Sequence, residues 1–90
     1  MIEQLATIRN EAGIHCRPSS VIVKTASEYS GTIRIQTEAG VADCRSIMGL
    51  LCLAMEKGTR IVISVSGHEE ERMSRKLVEL FETEFDFSPQ

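Results

Sequence analysis

Residues 60–66, Arg-Ile-Val-Ile-Ser-Val-Ser, form the clearest strand pattern in the chain. Ile61, Ile63 and Val65 alternate with the other residues of the segment, which gives the period of two that a half-buried strand shows. The chain has 90 residues, of which 42% are hydrophobic. That length and composition predict one packed domain spanning residues 1–90.

On either side of this segment, strand patterns and helix patterns alternate. The remaining predicted strands are 2–8, which is weak and carries Ile2, Leu5 and Ile8, then 32–37 and 41–43. The predicted helices cover 17–29, 47–55 and a last segment after Ser66. The order is therefore β-α-β-β-α-β-α. One sheet with helices on one face would bury every apolar stripe, so the sequence predicts an α+β two-layer sandwich.

Local signals place the helix ends. Ser46 precedes an apolar run and is a typical N-cap, and Gly58 supplies a stop. Gly31 follows the first helix in the same way. Ser66 and Glu69 have the spacing of a capping box at the start of the last helix, whose apolar stripe is Met73, Leu77, Leu80 and Phe81.

The segment 13–18, Gly-Ile-His-Cys-Arg-Pro, combines three chemical groups at a loop-to-helix junction. Pro18 fits the first turn of a helix, whose free amides and positive dipole end attract anions. Arg17 adds a planar set of donors, and His15 is a nucleophile or base beside this anion site. A solitary histidine in a loop is most often a plain surface residue. The combination nevertheless favours phosphate chemistry.

The helix after Ser46 is apolar on nearly every side. A short surface helix buries only one side, so Ile47, Met48 or Leu51 should stay partly exposed, which is typical of a docking surface. Ser46 by itself is explained by N-capping alone. A phosphate added there would lie at a helix N-terminus, which tolerates negative charge.

Charge and composition argue against several partners. The net charge is −3, with no basic run and few aromatic residues, which disfavours nucleic acid and anionic membranes. The longest apolar run, 47–55, is shorter than the roughly 20 residues that a transmembrane helix needs. No secretion signal is visible at the N-terminus. We expect a small cytoplasmic protein.

Cysteine and histidine usage predicts neither a metal site nor a cofactor. Cys16, Cys44 and Cys52 form no CxxC pair, so a reduced intracellular setting is the simplest interpretation. No spacing suits a metal ion. A catalytic thiol at Cys16 is disfavoured because no third orienting residue is evident. His68 has no supporting neighbours, and we interpret it as a surface residue.

Three motifs together resemble the HPr family, the histidine-containing phosphocarriers of the bacterial sugar phosphotransferase system. They are Gly-Ile-His-Cys-Arg-Pro-Ser at 13–19, Arg-Ser-Ile-Met-Gly-Leu at 45–50 and Lys-Gly at 57–58. The similarity extends from about residue 2 to residue 85. It implies an open-faced β-sandwich in which three helices cover one face of an antiparallel four-stranded sheet.

The resemblance also implies roles for individual residues. His15 would take a phosphoryl group from phosphorylated enzyme I and pass it to enzyme II A domains, and Arg17 would steady that group. Pro18 would start the helix after the loop at Gly13. Ser46 would be the target of an ATP-dependent HPr kinase/phosphorylase. The partner-docking residues would be Ile47, Met48 and Leu51.

Some positions depart from the family pattern. Cys16 stands where Ala is common, Arg45 where Lys is common, and Ala54 where Gly is common, a change that we expect a helix to tolerate. The alternative to a sugar-uptake relay is a regulatory paralogue, either of the nitrogen branch or acting through Ser46 on a catabolite-control transcription factor. The presence of both His15 and Arg17 favours the relay, and nothing demands more than a monomer.

Overall fold

The computed structural model describes residues 1–10, 13–14 and 16–83, with only the backbone for Cys16 and Arg17. The chain order is the expected β-α-β-β-α-β-α. The elements are β1 (Ile2–Thr7), α1 (Cys16–Ser27), β2 (Thr32–Thr37), β3 (Gly40–Asp43), α2 (Ile47–Cys52), β4 (Arg60–Ser66) and α3 (Glu70–Glu82).

The four strands form one antiparallel sheet in the order β1-β4-β2-β3. The strand with the clearest sequence pattern, β4, therefore lies between two neighbours. Ile63 is opposite Gln4 on one side and Ile35 on the other. Ile61, Ile63 and Val65 are completely buried, which confirms the period of two. A strand paired along both edges and buried on one face has little freedom to shift its register.

The three helices cover one face of this sheet and bury their apolar stripes against it. Ile22 of α1, Leu50 of α2, and Leu77 and Phe81 of α3 have no exposed surface. Among the described residues, no helix lies on the opposite face. Leu5, counted in the weak apolar pattern of the first strand, points to that open face and is 76% exposed. The predicted α+β open-faced sandwich is confirmed.

The second helix is shorter than predicted, because α2 ends at Cys52 and not at residue 55. The amides of Leu53 and Ala54 bond three residues back, to Leu50 and Leu51, as in a tightened last turn. Ala54 then adopts a left-handed conformation with φ +50°. The expectation that a helix tolerates alanine here is wrong, since this backbone conformation favours glycine.

The first helix also ends early, at Ser27, although Tyr29 beyond it is still buried. The predicted capping box of Ser66 and Glu69 is not formed. Glu69 is the N-cap residue of α3, with φ +53°, and its side chain makes no capping bond. Instead the carboxylate of Glu70 accepts the amide of Gly67 over 3.1 Å. This bond lowers the pKa of Glu70.

Within the described residues, no helix combines the length and the apolar character that crossing a bilayer requires.

Candidate functional site

The loop before α1 has a backbone that only glycine suits at position 13. Gly13 has φ +75°, and a Cβ there would collide with the carbonyl oxygen of Met55 and lie 3.0 Å from the Cα of Glu56. The segment around Gly13 therefore lies directly on the chain that follows α2. This close approach explains the glycine that begins the motif.

One peptide group in this loop is held at both of its polar atoms. The side-chain amide of Asn10 donates to the carbonyl oxygen of Gly13 over 2.7 Å. The amide of Ile14 donates to the carbonyl oxygen of Met55 over 2.8 Å. Asn10 and Ile14 are almost fully buried, at 3% and 4% exposure. Sequence reasoning missed Asn10, although asparagine is a residue type whose side chain often hydrogen-bonds nearby backbone in turns.

Helix α1 begins at Cys16, immediately after the loop. Pro18 and Ser19 lie in its first turn and are completely buried. No acidic residue occupies that turn, so no carboxylate of the helix itself competes for the amides at its positive end. His15 and the side chains of Cys16 and Arg17 lie outside the described residues. Their assigned roles therefore stay predictions.

Ser46 caps α2, as the sequence predicts. Its Oγ accepts the amide of Gly49 over 2.9 Å, and its carbonyl oxygen accepts the amide of Leu50 over 3.0 Å. A Cβ on residue 49 would lie 3.1 Å from the Oγ of Ser46, so glycine leaves room for this close cap. The hydroxyl lies at the surface end of the helix in a half-buried residue.

The apolar residues of α2 divide between the core and the surface. Leu50 is completely buried, whereas Met48 is 69% and Ile47 38% exposed. Leu51 is half-buried. The helix packs against β3 and α1 on its inner side. An exposed apolar surface therefore lies beside Ser46, as the sequence predicts, and its use for docking stays a prediction.

The described cysteines differ in reactivity. Cys44 is completely buried at the end of β3, and burial together with the Asp43 carboxylate raises its pKa to about 12, against an opposing effect of Arg45. The thiol is therefore neutral and unreactive at ordinary pH. Cys52, the last residue of α2, is exposed.

Arg45 of the second motif contacts the chain after α1, because its guanidinium donates to the carbonyl oxygen of Gly31.

The part of the chain that the structure describes contains no group of three or more His, Cys, Asp or Glu side chains placed to hold a metal ion. His68 is exposed near the start of α3, where the sequence predicts a surface residue.

Comparison with known proteins supports the motif assignment across the chain. The family model described as "PTS HPr component phosphorylation site" matches residues 2–83. A curated relative named phosphocarrier protein HPr, from Xylella fastidiosa, is 33% identical over 86 residues, which cover 96% of this chain and 97% of that protein. A more distant relative, the HPr-like protein Crh of Bacillus subtilis, is 27% identical over 77 residues, covering 86% and 91% of the two chains.

A solved structure of HPr from Thermoanaerobacter tengcongensis is similar in fold, with a TM-score of 0.84 and 33% sequence identity. The alignment covers 90% of this chain and 91% of that one. The fold and the matched motifs thus define a phosphocarrier protein, which is an intermediate in phosphoryl transfer and not an enzyme. The chain belongs to the HPr family of the bacterial phosphotransferase system.

Proposed function

We propose that His15 accepts a phosphoryl group from phosphorylated enzyme I and passes it to enzyme II A domains during sugar uptake. The observation that carries this proposal is the family match over residues 2–83, which includes the whole motif 13–18. The described structure supports it, because Ile14 and Pro18 are buried on either side of the motif's reactive residues. Ile14 and Pro18, which flank residues 15–17 in the sequence, are therefore two fixed points of the backbone.

The chemistry needs little beyond position and charge. A neutral imidazole nitrogen of His15 attacks the phosphorus, a nitrogen–phosphorus bond forms, and the bond from phosphorus to the donor breaks as the electron pair leaves with the donor. The product is reactive enough to be handed to the next acceptor. The positive end of α1 and the guanidinium of Arg17 offset the incoming charge without binding the group irreversibly.

Ser46 and the exposed side chains of α2 supply a docking surface and its control. Met48 and Ile47 offer apolar area next to the Ser46 hydroxyl. We expect partners to cover them together with Leu51. Phosphorylation of Ser46 by an HPr kinase/phosphorylase would add about −1.5 to −2 charge and weaken an apolar interface by desolvation. Because the phosphate would remain at the helix N-terminus, the fold should tolerate it.

The test incubates the protein with phosphoenolpyruvate and enzyme I, then measures acid-labile phosphate on the carrier. We expect one phosphoryl group on the wild-type protein and none on His15→Ala. His68→Ala is the matched control, because it removes the other histidine, an exposed residue. Label that persists in His15→Ala, or is absent from the wild type, would contradict the proposal.

A regulatory function is the second candidate, and the similarity to Crh supports it. Such a protein would act through phosphorylated Ser46 on a catabolite-control transcription factor, or serve a nitrogen branch. This candidate would be favoured if a kinase modifies Ser46 of the wild-type protein and phosphorylated enzyme I transfers no phosphoryl group to His15. We further propose a cytoplasmic monomer, which fractionation and light scattering test.

A further inference from the structure

The chain between β1 and α1 is held at Asn10, a residue to which the proposed function gives no role. Ahead of it, Ile8 exchanges two backbone bonds with the segment before β4: its amide donates to Thr59 over 2.9 Å, and its carbonyl accepts from Gly58 over 2.7 Å. Asn10 itself is only 3% exposed. The loop therefore starts from a fixed and buried position.

Two hydrogen bonds connect Asn10 and Gly13 in opposite directions. The side-chain amide nitrogen of Asn10 donates to the Gly13 carbonyl over 2.7 Å in a buried position, and the Gly13 amide donates to the Asn10 carbonyl over 2.9 Å. A neutral amide is required for the first bond, because a carboxylate has no donor and an alkyl side chain would leave a buried carbonyl unpaired.

The peptide group between Gly13 and Ile14 is thereby bound at both ends. Its oxygen accepts from Asn10, and its nitrogen donates to the Met55 carbonyl over 2.8 Å. Because a peptide group is planar, two such bonds set its orientation. The next residue in the chain is His15.

After residue 15 in the sequence, the first described side chains are those of α1, and they are held in the core. Pro18 and Ser19 are completely buried in the first helical turn. Only residues 15–17 separate these buried residues from Ile14, which is 4% exposed. The direction in which the chain leaves Ile14 therefore has a direct effect on where residue 15 lies.

We infer that Asn10 is a positioning residue for phosphoryl transfer. Its amide orients the Gly13–Ile14 peptide and so sets where the His15 imidazole meets the phosphoryl donor. The inference rests on the proposed function at His15. A displacement of about 1 Å from productive geometry can lower a rate by about 100-fold, so we expect the loss of this hydrogen bond to slow the chemical step measurably.

The test compares Asn10→Ala and the near-isosteric Asn10→Asp with Ser74→Ala. Ser74 is also completely buried, and its hydroxyl donates to the Glu71 carbonyl over 2.8 Å within α3. Transfer from phosphorylated enzyme I is measured over a range of carrier concentrations. Both Asn10 variants should lose at least about tenfold in maximal rate. Their half-saturating concentration should stay within about twofold, because the docking surface on α2 is unchanged. Ser74→Ala should keep the wild-type rate.

Hydrogen exchange at the Ile14 amide tests the same contact without enzyme I. In folded Asn10→Ala or Asn10→Asp this amide should exchange faster, while the Ile63 amide in central β4 reports any change in global stability. Wild-type maximal rate in a folded Asn10 variant would overturn the inference, as would a change confined to half-saturation. Wild-type protein that accepts no phosphoryl group would refute the proposed function. The exchange measurement tests the Asn10 contact separately, because unchanged Ile14 exchange in the variants would overturn the inference.

Discussion

The amide of Ile14 lies 2.8 Å from the carbonyl oxygen of Met55 and donates a hydrogen bond to it. This bond joins the loop before α1 to the segment that follows α2. The loop leads to His15, and α2 carries Ser46 and the exposed apolar surface. The proposed phosphoryl site and the proposed docking surface are therefore parts of one connected structure.

The contact between Gly13 and Met55 can be tested against a glycine that lacks it. Gly13→Ala places a Cβ against backbone, whereas Gly58→Ala has a similarly positive φ of +92° and nothing within 4 Å. Gly58→Ala should lower the free energy of unfolding by about 1 kcal/mol for the left-handed backbone alone. Gly13→Ala should lower it further and slow phosphoryl transfer. Urea unfolding of both variants measures the difference, and equal losses would show that the Met55 contact has no energetic weight.

Ala54→Gly should stabilise the protein. Alanine at φ +50° bears a backbone strain of about 1 to 2 kcal/mol, of which glycine's greater freedom in the unfolded chain offsets about half. We expect a gain of about 0.5 to 1 kcal/mol in the free energy of unfolding. Ala39→Gly, in the turn before β3, is the control, since that alanine does not have a positive φ. It should lose stability, and a loss in Ala54→Gly as well would contradict the prediction.

The helix cap at Ser46 and the proposed phosphorylation switch at the same residue can be tested separately. Ser46→Ala removes the acceptor of the Gly49 amide and should lower the free energy of unfolding by about 1 kcal/mol, with little effect on transfer at saturating carrier. Ser46→Asp keeps an acceptor and adds charge, so stability should be retained while transfer from enzyme I slows. Thermal unfolding and transfer kinetics measure the two effects. Unchanged transfer kinetics in Ser46→Asp would exclude the switch.

The proposed docking surface on α2 predicts that substitutions at two exposed apolar residues differ in their effect on partner binding. Met48→Glu should weaken binding of enzyme I, because it places a charge in an apolar interface. Val41→Glu is the matched control on β3, where the original side chain is 60% exposed. Calorimetric titration measures both affinities. Equal effects of the two substitutions would argue for a general charge effect, not for docking at α2.

The buried thiol of Cys44 predicts a dependence on alkaline pH. Its pKa is raised from 9.0 to about 12 in the folded protein, so the unfolded chain releases its proton first. The free energy of unfolding should be unaffected by this group below pH 9 and should fall between about pH 9 and 12, with a slope of at most about 1.4 kcal/mol per pH unit. Cys44→Ala should flatten that fall relative to the wild type.

Alkylation of the folded protein at pH 8 provides a second check on the cysteines. Mass spectrometry should find the exposed Cys52 modified and the buried Cys44 intact. Modification of Cys44 at the rate of Cys52 would show that β3 opens readily.

Local patterns determined most of the element order. The alternation in 60–66 and the period of α3 reflect side chains that must face one core, and such constraints are visible in any short window of sequence. The Ser46 cap is equally local, because the cap and its amide partner are three residues apart. The resemblance of segments 13–19 and 45–50 to the HPr family likewise identified the candidate site residues.

Interactions between distant segments decided the rest. α2 ends at Cys52 and Ala54 is left-handed just before Met55 and Glu56, on which Gly13 packs. The buried Asn10 is bonded to Gly13 in the same region. Local propensity favours a longer helix through 55, whereas in the fold the helix ends at Cys52 and the Met55 carbonyl accepts the Ile14 amide. A bond between residues 41 positions apart has no local signature. The sequence by itself thus determined the elements and the motif, and only the tertiary structure decided how the loop before His15 is held.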